Sequence, residues 1–232
     1  MDNANPIRIG LCGTVYRNEC PIERGLGIQL VCRPVSRLLF LVLGVRPYLV
    51  GRMILNHSVY PEIRGFMYDA DLIHLKKRCK ETEPLLGPIL EIGSYEGLST
   101  AILSERDAKV TCIDPFSGGE DLPSRYTRTI FERNMRRLGR LKQITILESK
   151  SENALDDLLP EYRLIFIDGS HEFNHVLWDI QHCWPLLKRG GWLIADDINL
   201  GGPDYPIARA MQESGLKWKG VEGTKLGEVQ KE

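Results

Sequence analysis

No stretch of this chain stays apolar for long enough to cross a bilayer. The longest clean apolar run, Leu38 to Val45, has eight residues, where a helical span needs about 20. Cysteine is sparse and unpatterned. The six cysteines (Cys12, Cys20, Cys32, Cys79, Cys112, Cys183) include no C-x-x-C pair, which argues against a disulfide framework and for free thiols in a reducing cytoplasm. An excess of one charge is also missing. Lys and Arg total 30 against 31 Asp and Glu, so nothing global attracts nucleic acid, and no nucleic-acid partner is expected. The polar opening residues lack a basic region ahead of an apolar run, so no cleavable leader is expected. Internal repeats and low-complexity segments are absent.

What the chain does contain is one dense stretch, Ile89-Leu90-Glu91-Ile92-Gly93-Ser94-Tyr95-Glu96-Gly97-Leu98-Ser99-Thr100. It reads as a buried strand, a tight turn with two glycines and the start of a helix. Such a turn lets backbone N–H groups approach a ligand, and the helix N-terminus favours negative charge there. The spacing Glu91-x-Gly93-x-x-x-Gly97 differs from the G-x-G-x-x-G of dinucleotide enzymes and from the G-x-x-x-x-G-K-[ST] of a P-loop. The acid inside it repels phosphate and suits a ligand with a cationic amino group.

Elements alternate regularly from residue 68 on. A helix capped by Asp69 or Asp71 carries Leu72, Leu75 and Cys79 on one face. Strand Ile89–Gly93, helix Leu98–Glu105 and strand Lys109–Asp114 follow. Next come a helix around Tyr126–Leu138 and strand Gln143–Glu148. Ser149-Lys150-Ser151-Glu152 has the capping-box pattern of a helix running to Pro160. Strand Arg163–Asp168 precedes a helix with Val176, Ile180, Trp184 and Leu187 in helical register, which Gly190-Gly191 is expected to stop. Strand Trp192–Asp196, a helix near Ile207–Ser214, and two short strands, Leu216–Val221 and Lys225–Val229, complete the chain. These alternations predict an α/β fold with a doubly wound, mostly parallel sheet ending in an antiparallel hairpin. The expected division is an apolar, helical extension over residues 1–65 and a cofactor-binding domain over 66–232. Within the extension, 33–55 reads either as short helices packed on the domain, as a membrane-surface segment with arginines at headgroup level, or as a subunit contact in a homo-oligomer.

Ligands of open α/β sheets bind at the carboxyl ends of the strands. Here those ends are Glu91/Gly93, Asp114, Glu148/Ser149, Asp168 and Asp196/Asp197. So much negative charge in one place calls for cations. A cationic cofactor with a divalent metal supplies them. Asp114, about 20 residues after the glycine turn, reads either as the acceptor of both hydroxyls of a ribose or as a helix or turn cap, since Asp-Pro favours a turn. Asp168, Asp196 and Asp197 form an oxygen-only ligand set suited to Mg²⁺ or another divalent cation, with room for a substrate hydroxyl. His171 follows Asp168 by three residues and can take that hydroxyl's proton. Asp196 and Asp197 converge only if the strand has ended before them, because successive strand residues point to opposite faces.

The motifs E-I-G-x-x-x-G, I-D-P, F-I-D-G-S-H and G-G-W-x-x-x-D-D, in this order over residues 66–200, resemble class I S-adenosylmethionine-dependent methyltransferases. Among these the chain is similar to the metal-dependent sugar O-methyltransferases of macrolide biosynthesis and the cephalosporin-hydroxylase-type family. The resemblance implies a seven-stranded Rossmann-like sheet and a cytoplasmic enzyme that methylates a hydroxyl of a small molecule, a sugar or glycoside, free or within a glycan or glycolipid. It implies that Glu91, Gly93, Ser94, Tyr95, Gly97 and Ser99 line the methionine end of the cofactor. It places Asp114 on the ribose, Glu148 to Ser151 (Ser149 among them) near the adenine and Asp168 beside both cofactor and metal. His171-Glu172-Phe173-Asn174-His175 matches H-E-x-x-H, but it opens a helix straight after a strand, which argues against a zinc hydrolase. The basic run Arg125, Arg128, Arg133, Arg136, Arg137, Arg140, Lys142 reads as a solvated helix face or as a binding surface for an anionic substrate. Acceptor specificity is expected in the N-terminal segment and in loops 115–124 and 199–206. The rival readings are a nucleotide-dependent oxidoreductase on the same frame and a non-catalytic cofactor-binding module.

Overall fold

The computed structural model describes residues 58–117, 127–159, 161–200 and 202–232. The extension's apolar stretch 33–55, three of the cysteines and Arg125 lie outside the described residues.

Seven strands form one sheet. They are β1 (Ile89–Ile92), β2 (Val110–Ile113), β3 (Ile144–Leu147), β4 (Tyr162–Ile167), β5 (Leu187–Ala195), β6 (Lys219–Gly220) and β7 (Gly227–Gln230). Their spatial order is β3-β2-β1-β4-β5-β7-β6. The first five run parallel, and β7 pairs antiparallel with both β5 and β6. The predicted doubly wound sheet with its antiparallel end is therefore present.

The central strands are apolar nearly throughout because both sheet faces are covered. Alternation along each strand sends residues to opposite layers. Ile89, Leu164, Phe166 and Ile194 pack in one layer with Leu72, Leu75, Ile102 and Phe131. Leu90, Ile92, Ile165, Ile167 and Leu193 pack in the other with Val176, Ile180, Ile207 and Met211. The first layer holds helices α1 (Asp69–Thr82), α2 (Leu98–Leu103) and α3 (Thr127–Arg137). The second holds α4 (Phe173–Leu186) and α5 (Pro206–Glu213). Ile63, ahead of residue 66, is buried in the first layer. Among the described residues, no helix is long and apolar enough to cross a membrane.

Two expected elements differ. The capping-box stretch does not start an α-helix. Ser151–Asn153 and Leu155–Asp157 form separate 3₁₀ turns. Ser, Asn and Asp there offer the backbone local hydrogen bonds that compete with helix, and only Ala154 and Leu155 are buried across 151–159. Nor does Gly190-Gly191 stop a helix. α4 ends at Leu186, just after Pro185, and β5 runs straight through both glycines. A Cβ on Gly191 would lie 2.7 Å from the Arg163 carbonyl, at the register shift between β4 and β5. Gly191 serves a close strand contact.

The sheet order reverses between β1 and β4. This is the switch point at which an open α/β sheet leaves a crevice, and the Gly93 turn and Asp168 stand on its two sides.

Candidate active site

The glycine turn is tightly held. Gly93 has φ +85°, and a Cβ there would sit 2.1 Å from the carbonyl oxygen of Asp168. Only glycine allows the end of β1 to lie this close to the end of β4. Gly97, at φ +96°, starts α2 and packs against Met135 and Phe131. Asp114, just past β2, binds the turn itself. Its Oδ2 accepts from the backbone N–H groups of Ser94 and Tyr95, both at 2.8 Å. Its Oδ1 accepts from Phe116 N–H at 2.6 Å.

Glu91 lies inside the first layer, fully buried. Its Oε2 accepts from Ser94 Oγ at 2.7 Å, Thr100 Oγ1 at 2.5 Å and the Cys112 thiol at 3.2 Å. Its Oε1 has no hydrogen-bond partner among the described residues. Burial pushes this carboxyl above its ordinary range, against the hydroxyls of Ser99, Thr100 and Ser94. A buried acceptor without a donor costs about 1–3 kcal/mol. It fits a cofactor whose cationic amino group sits over the turn.

Past β4 and β5 lies the second cluster. β5 ends at Ala195, so the backbone is free to turn, and Asp197 adopts φ +60°. Asp168, His171 and Asp197 present ligand atoms that all lie within 4.8 Å of one another. His171 Nε2 is 3.2 Å from Asp197 Oδ2, and His171 Nδ1 is 3.3 Å from the Tyr205 hydroxyl. A cavity of about 10 Å³, lined by Asp168, His171, Asp196 and apolar neighbours, opens beside them. That is room for one water-sized occupant.

Asp196 lines that cavity, but both of its oxygens are bonded to other partners. Its Oδ1 accepts from the Asp197 backbone N–H at 2.7 Å, and its Oδ2 meets Lys225 Nζ at 3.0 Å. The same ammonium reaches Asp197 Oδ1 at 2.5 Å. Burial works against the Lys225 charge, but Asp196 and Asp197 override it and hold the ammonium above its usual range. Burial likewise raises Asp197, and His171 and Lys225 reverse this and hold it low. Asp196 is pushed up to about 6, by burial against the pull of Lys225.

The acidic strand ends are thus mostly neutralised by the chain itself. Glu148 is exposed and pairs with Arg128. Glu91 has its hydroxyls, Asp114 its backbone amides, and Asp196 and Asp197 their lysine. Among the described residues, the Asp168 side chain makes no hydrogen bond. Burial and the charges of Asp196 and Asp197 push its carboxyl well above the ordinary range. It is the acid most in need of an added cation, and its neighbours suit a small divalent ion.

Other singled-out residues take lesser positions. Ser149 donates its hydroxyl to the Lys150 carbonyl at the mouth of β3. His175 lies in the first turn of α4, bonded to Ser170 Oγ and facing Glu152. His171 precedes that helix, so the two histidines share no helical face and H-E-x-x-H forms no joint metal site. Arg128 pairs with Glu132 as well as Glu148, Arg140 binds Tyr60, and Arg133, Arg136 and Arg137 are exposed. The reading from sequence missed Lys225, Tyr205 and Thr100. Tyr205 lies in the loop 199–206 assigned to specificity, whereas nothing local marks Lys225.

Residues 90–198 match a family described as a methyltransferase domain. No curated protein matches the chain. Solved structures resemble it across most of its length. Cofactor-bound Rv0187 from MTB is 19% identical, with a TM-score of 0.56, covering 85% of this chain and 95% of that one. The O-methyltransferase NovP is 17% identical (TM-score 0.55, 88% and 99% covered). CalS11, a TDP-rhamnose 3'-O-methyltransferase of calicheamicin biosynthesis, is 13% identical (TM-score 0.52, 90% and 96% covered). At these identities the likeness is one of fold. Together with the match of residues 90–198 to a methyltransferase domain, it gives the chain a methyltransferase-type fold with the glycine turn at its switch point.

Proposed function

We propose that the protein transfers a methyl group from S-adenosylmethionine to a hydroxyl of a small molecule, a sugar or glycoside, with help from a divalent cation. The observation that carries this reading is the grouping of Asp168, His171 and Asp197 around one point beside the glycine turn. A hydroxyl bound at that point would have a base beside it and the glycine turn close by.

Bound S-adenosylmethionine supplies an electrophilic methyl on a sulfonium. Glu91 Oε1 and the turn from Gly93 to Gly97 would receive its methionine end, with Ser99 toward the carboxylate. Asp114 keeps lone pairs free beyond its bonds to Ser94, Tyr95 and Phe116, and these suit the ribose hydroxyls. Asp168 and Asp197 would hold a divalent cation, which polarises a bound hydroxyl and lowers its pKa. His171 is the base. Its Nε2–H is held by Asp197, which leaves Nδ1 as the acceptor on the side of Tyr205. When Nδ1 takes the proton, the imidazolium forms against the Asp197 carboxylate, which stabilises it. Support for a sugar acceptor comes from CalS11, whose own substrate is a TDP-rhamnose.

The test is methyl transfer from labelled S-adenosylmethionine to a panel of glycosides, run with Mg²⁺ and with chelator. His171→Ala should lose turnover by about 10²–10⁴-fold while binding the cofactor as tightly as the wild type. Undiminished turnover would remove His171 from the reaction. Transfer that chelator leaves untouched would remove the cation.

A further inference from the structure

The cation that sits on the acid pair after β5 is part of the chain. We infer that Lys225 is the resident counter-ion of Asp196 and Asp197, and that it withdraws Asp196 from metal binding and makes it a positioning residue. The inference deepens the proposed reaction and rests on it for the identity of the metal's task, although its test reads metal binding itself.

The lysine is built into its place from both ends. Its backbone N–H donates to Asp71 Oδ1 at 2.9 Å, and Asp71 is fully buried in the first turn of α1. The other oxygen of Asp71 accepts from Tyr68 N–H at 2.7 Å. The Lys225 carbonyl accepts from Ile198 N–H at 3.0 Å. Helix α1 and the segment after β5 therefore both grip residue 225, and its side chain runs the short way to the acids. The ammonium lies 5.4 Å from the centre of the Tyr68 ring, on a cation–π approach. The Lys225 side chain is only 9% exposed and the Asp196 side chain 1%. A mobile surface lysine does not look like this.

The geometry divides the acids by task. Both Asp196 oxygens are engaged, one by the Asp197 backbone and one by Lys225. Asp197 is shared: Oδ1 takes the lysine, Oδ2 faces His171, and one of its oxygens lies within 4.8 Å of ligand atoms of both Asp168 and His171. Asp168 has no such partner. A divalent ion entering here meets Asp168 and one oxygen of Asp197, with a fixed positive charge behind them. Asp196 orients that charge and caps the turn that aims Asp197. Like charges this close, in a partly buried site, weaken metal binding, so Lys225 also sets the affinity low.

The experiment is calorimetric and electron-paramagnetic titration of Mn²⁺ into the intact protein and its variants. Asp168→Asn should weaken binding at least tenfold, whereas Asp196→Asn should change it less than threefold. Lys225→Met should tighten it at least tenfold, and Lys225→Arg should return it to within threefold of the wild type. Circular dichroism establishes that each variant is folded. The inference is overturned if Asp196→Asn weakens binding as much as Asp168→Asn, or if folded Lys225→Met binds no tighter than the wild type. If Lys225→Met does not fold, the comparison of Asp196→Asn with Asp168→Asn decides. S-adenosylmethionine is titrated in parallel. A protein that binds it but shows the reversed Mn²⁺ ranking keeps the transferase reading and loses this one. A protein with the expected ranking and no cofactor binding does the opposite.

Discussion

Replacing Gly93 with alanine strikes the point where the glycine turn and the acid cluster meet. Two costs add. A left-handed φ of +85° costs a residue with a Cβ about 1–2 kcal/mol. The new Cβ would also sit 2.1 Å from the Asp168 carbonyl oxygen and 2.5 Å from its carbonyl carbon. Both are backbone atoms of a central strand's end and cannot swing aside as a side chain would. Forcing a methyl into such packing costs about 1–3 kcal/mol more. The expected loss is about 2–5 kcal/mol, or about 4–20 °C in melting temperature for a domain of this size. Function should fall beyond what stability explains, because relief of the clash moves Asp168 away from His171 and Asp197. The assay is thermal melting with cofactor and Mn²⁺ titrations on the fraction that stays folded at 20 °C. A variant that melts within about 2 °C of the wild type would refute the claim that β1 and β4 touch here through glycine.

Two acids should give pH profiles of opposite slope. Glu228 on β7 is bound by His74 and Arg78 of α1. Burial alone would raise it, but these bonds bring it down to about 2 from 4.5. Its contribution is full above pH 4.5 and is lost as the pH falls toward 2. Allowing for solvent screening, Glu228→Gln should cost about 1–3 kcal/mol at pH 7, with the gap to the wild type closing in urea melts below pH 4. Asp179 on α4 is buried with Oδ1 unpartnered. Burial raises it from 3.8 to about 6, against a hydrogen bond from Ser151. Charging it therefore destabilises the fold progressively as the pH rises from 3.8 to about 6, and by a constant amount above that. Asp179→Asn should stabilise the protein at pH 8, by at most about 3 kcal/mol, and leave it unchanged at pH 4. A variant less stable than the wild type at pH 8 would contradict this.

The parts of the fold that could be read from sequence were those where one local pattern had one structural outcome. Ile89–Ile92 apart from Glu91, and Leu164–Ile167, are apolar because helices cover both faces, and short runs of this kind between turn signals read as central parallel strands. The glycine turn was legible too, although part of its reason was not. Gly93 is needed for the approach of Asp168, 75 residues later in the chain. Ser149–Glu152 misled because a capping box needs an amphipathic helix behind it, and the Asp-rich residues that follow bury too little. Gly190-Gly191 misled because glycine marks a close strand contact as readily as a helix end. The charge argument met its cations only at Glu148, Asp196 and Asp197, whereas Glu91 and Asp114 are met by hydroxyls and backbone amides. It could not foresee that most of the partners come from the chain. Lys225 reaches Asp196 and Asp197 only because the antiparallel end of the sheet folds back beside β5, and that proximity has no signature in the residues around 225.

The most direct test of the account is calorimetric titration of S-adenosylmethionine into the wild type and into Asp114→Ala, with and without Mg²⁺. The account predicts one saturable site in the wild type at micromolar affinity, weakened at least tenfold in the variant through loss of ribose contacts and of the turn's anchor. A well-folded wild type that takes up no S-adenosylmethionine would contradict it.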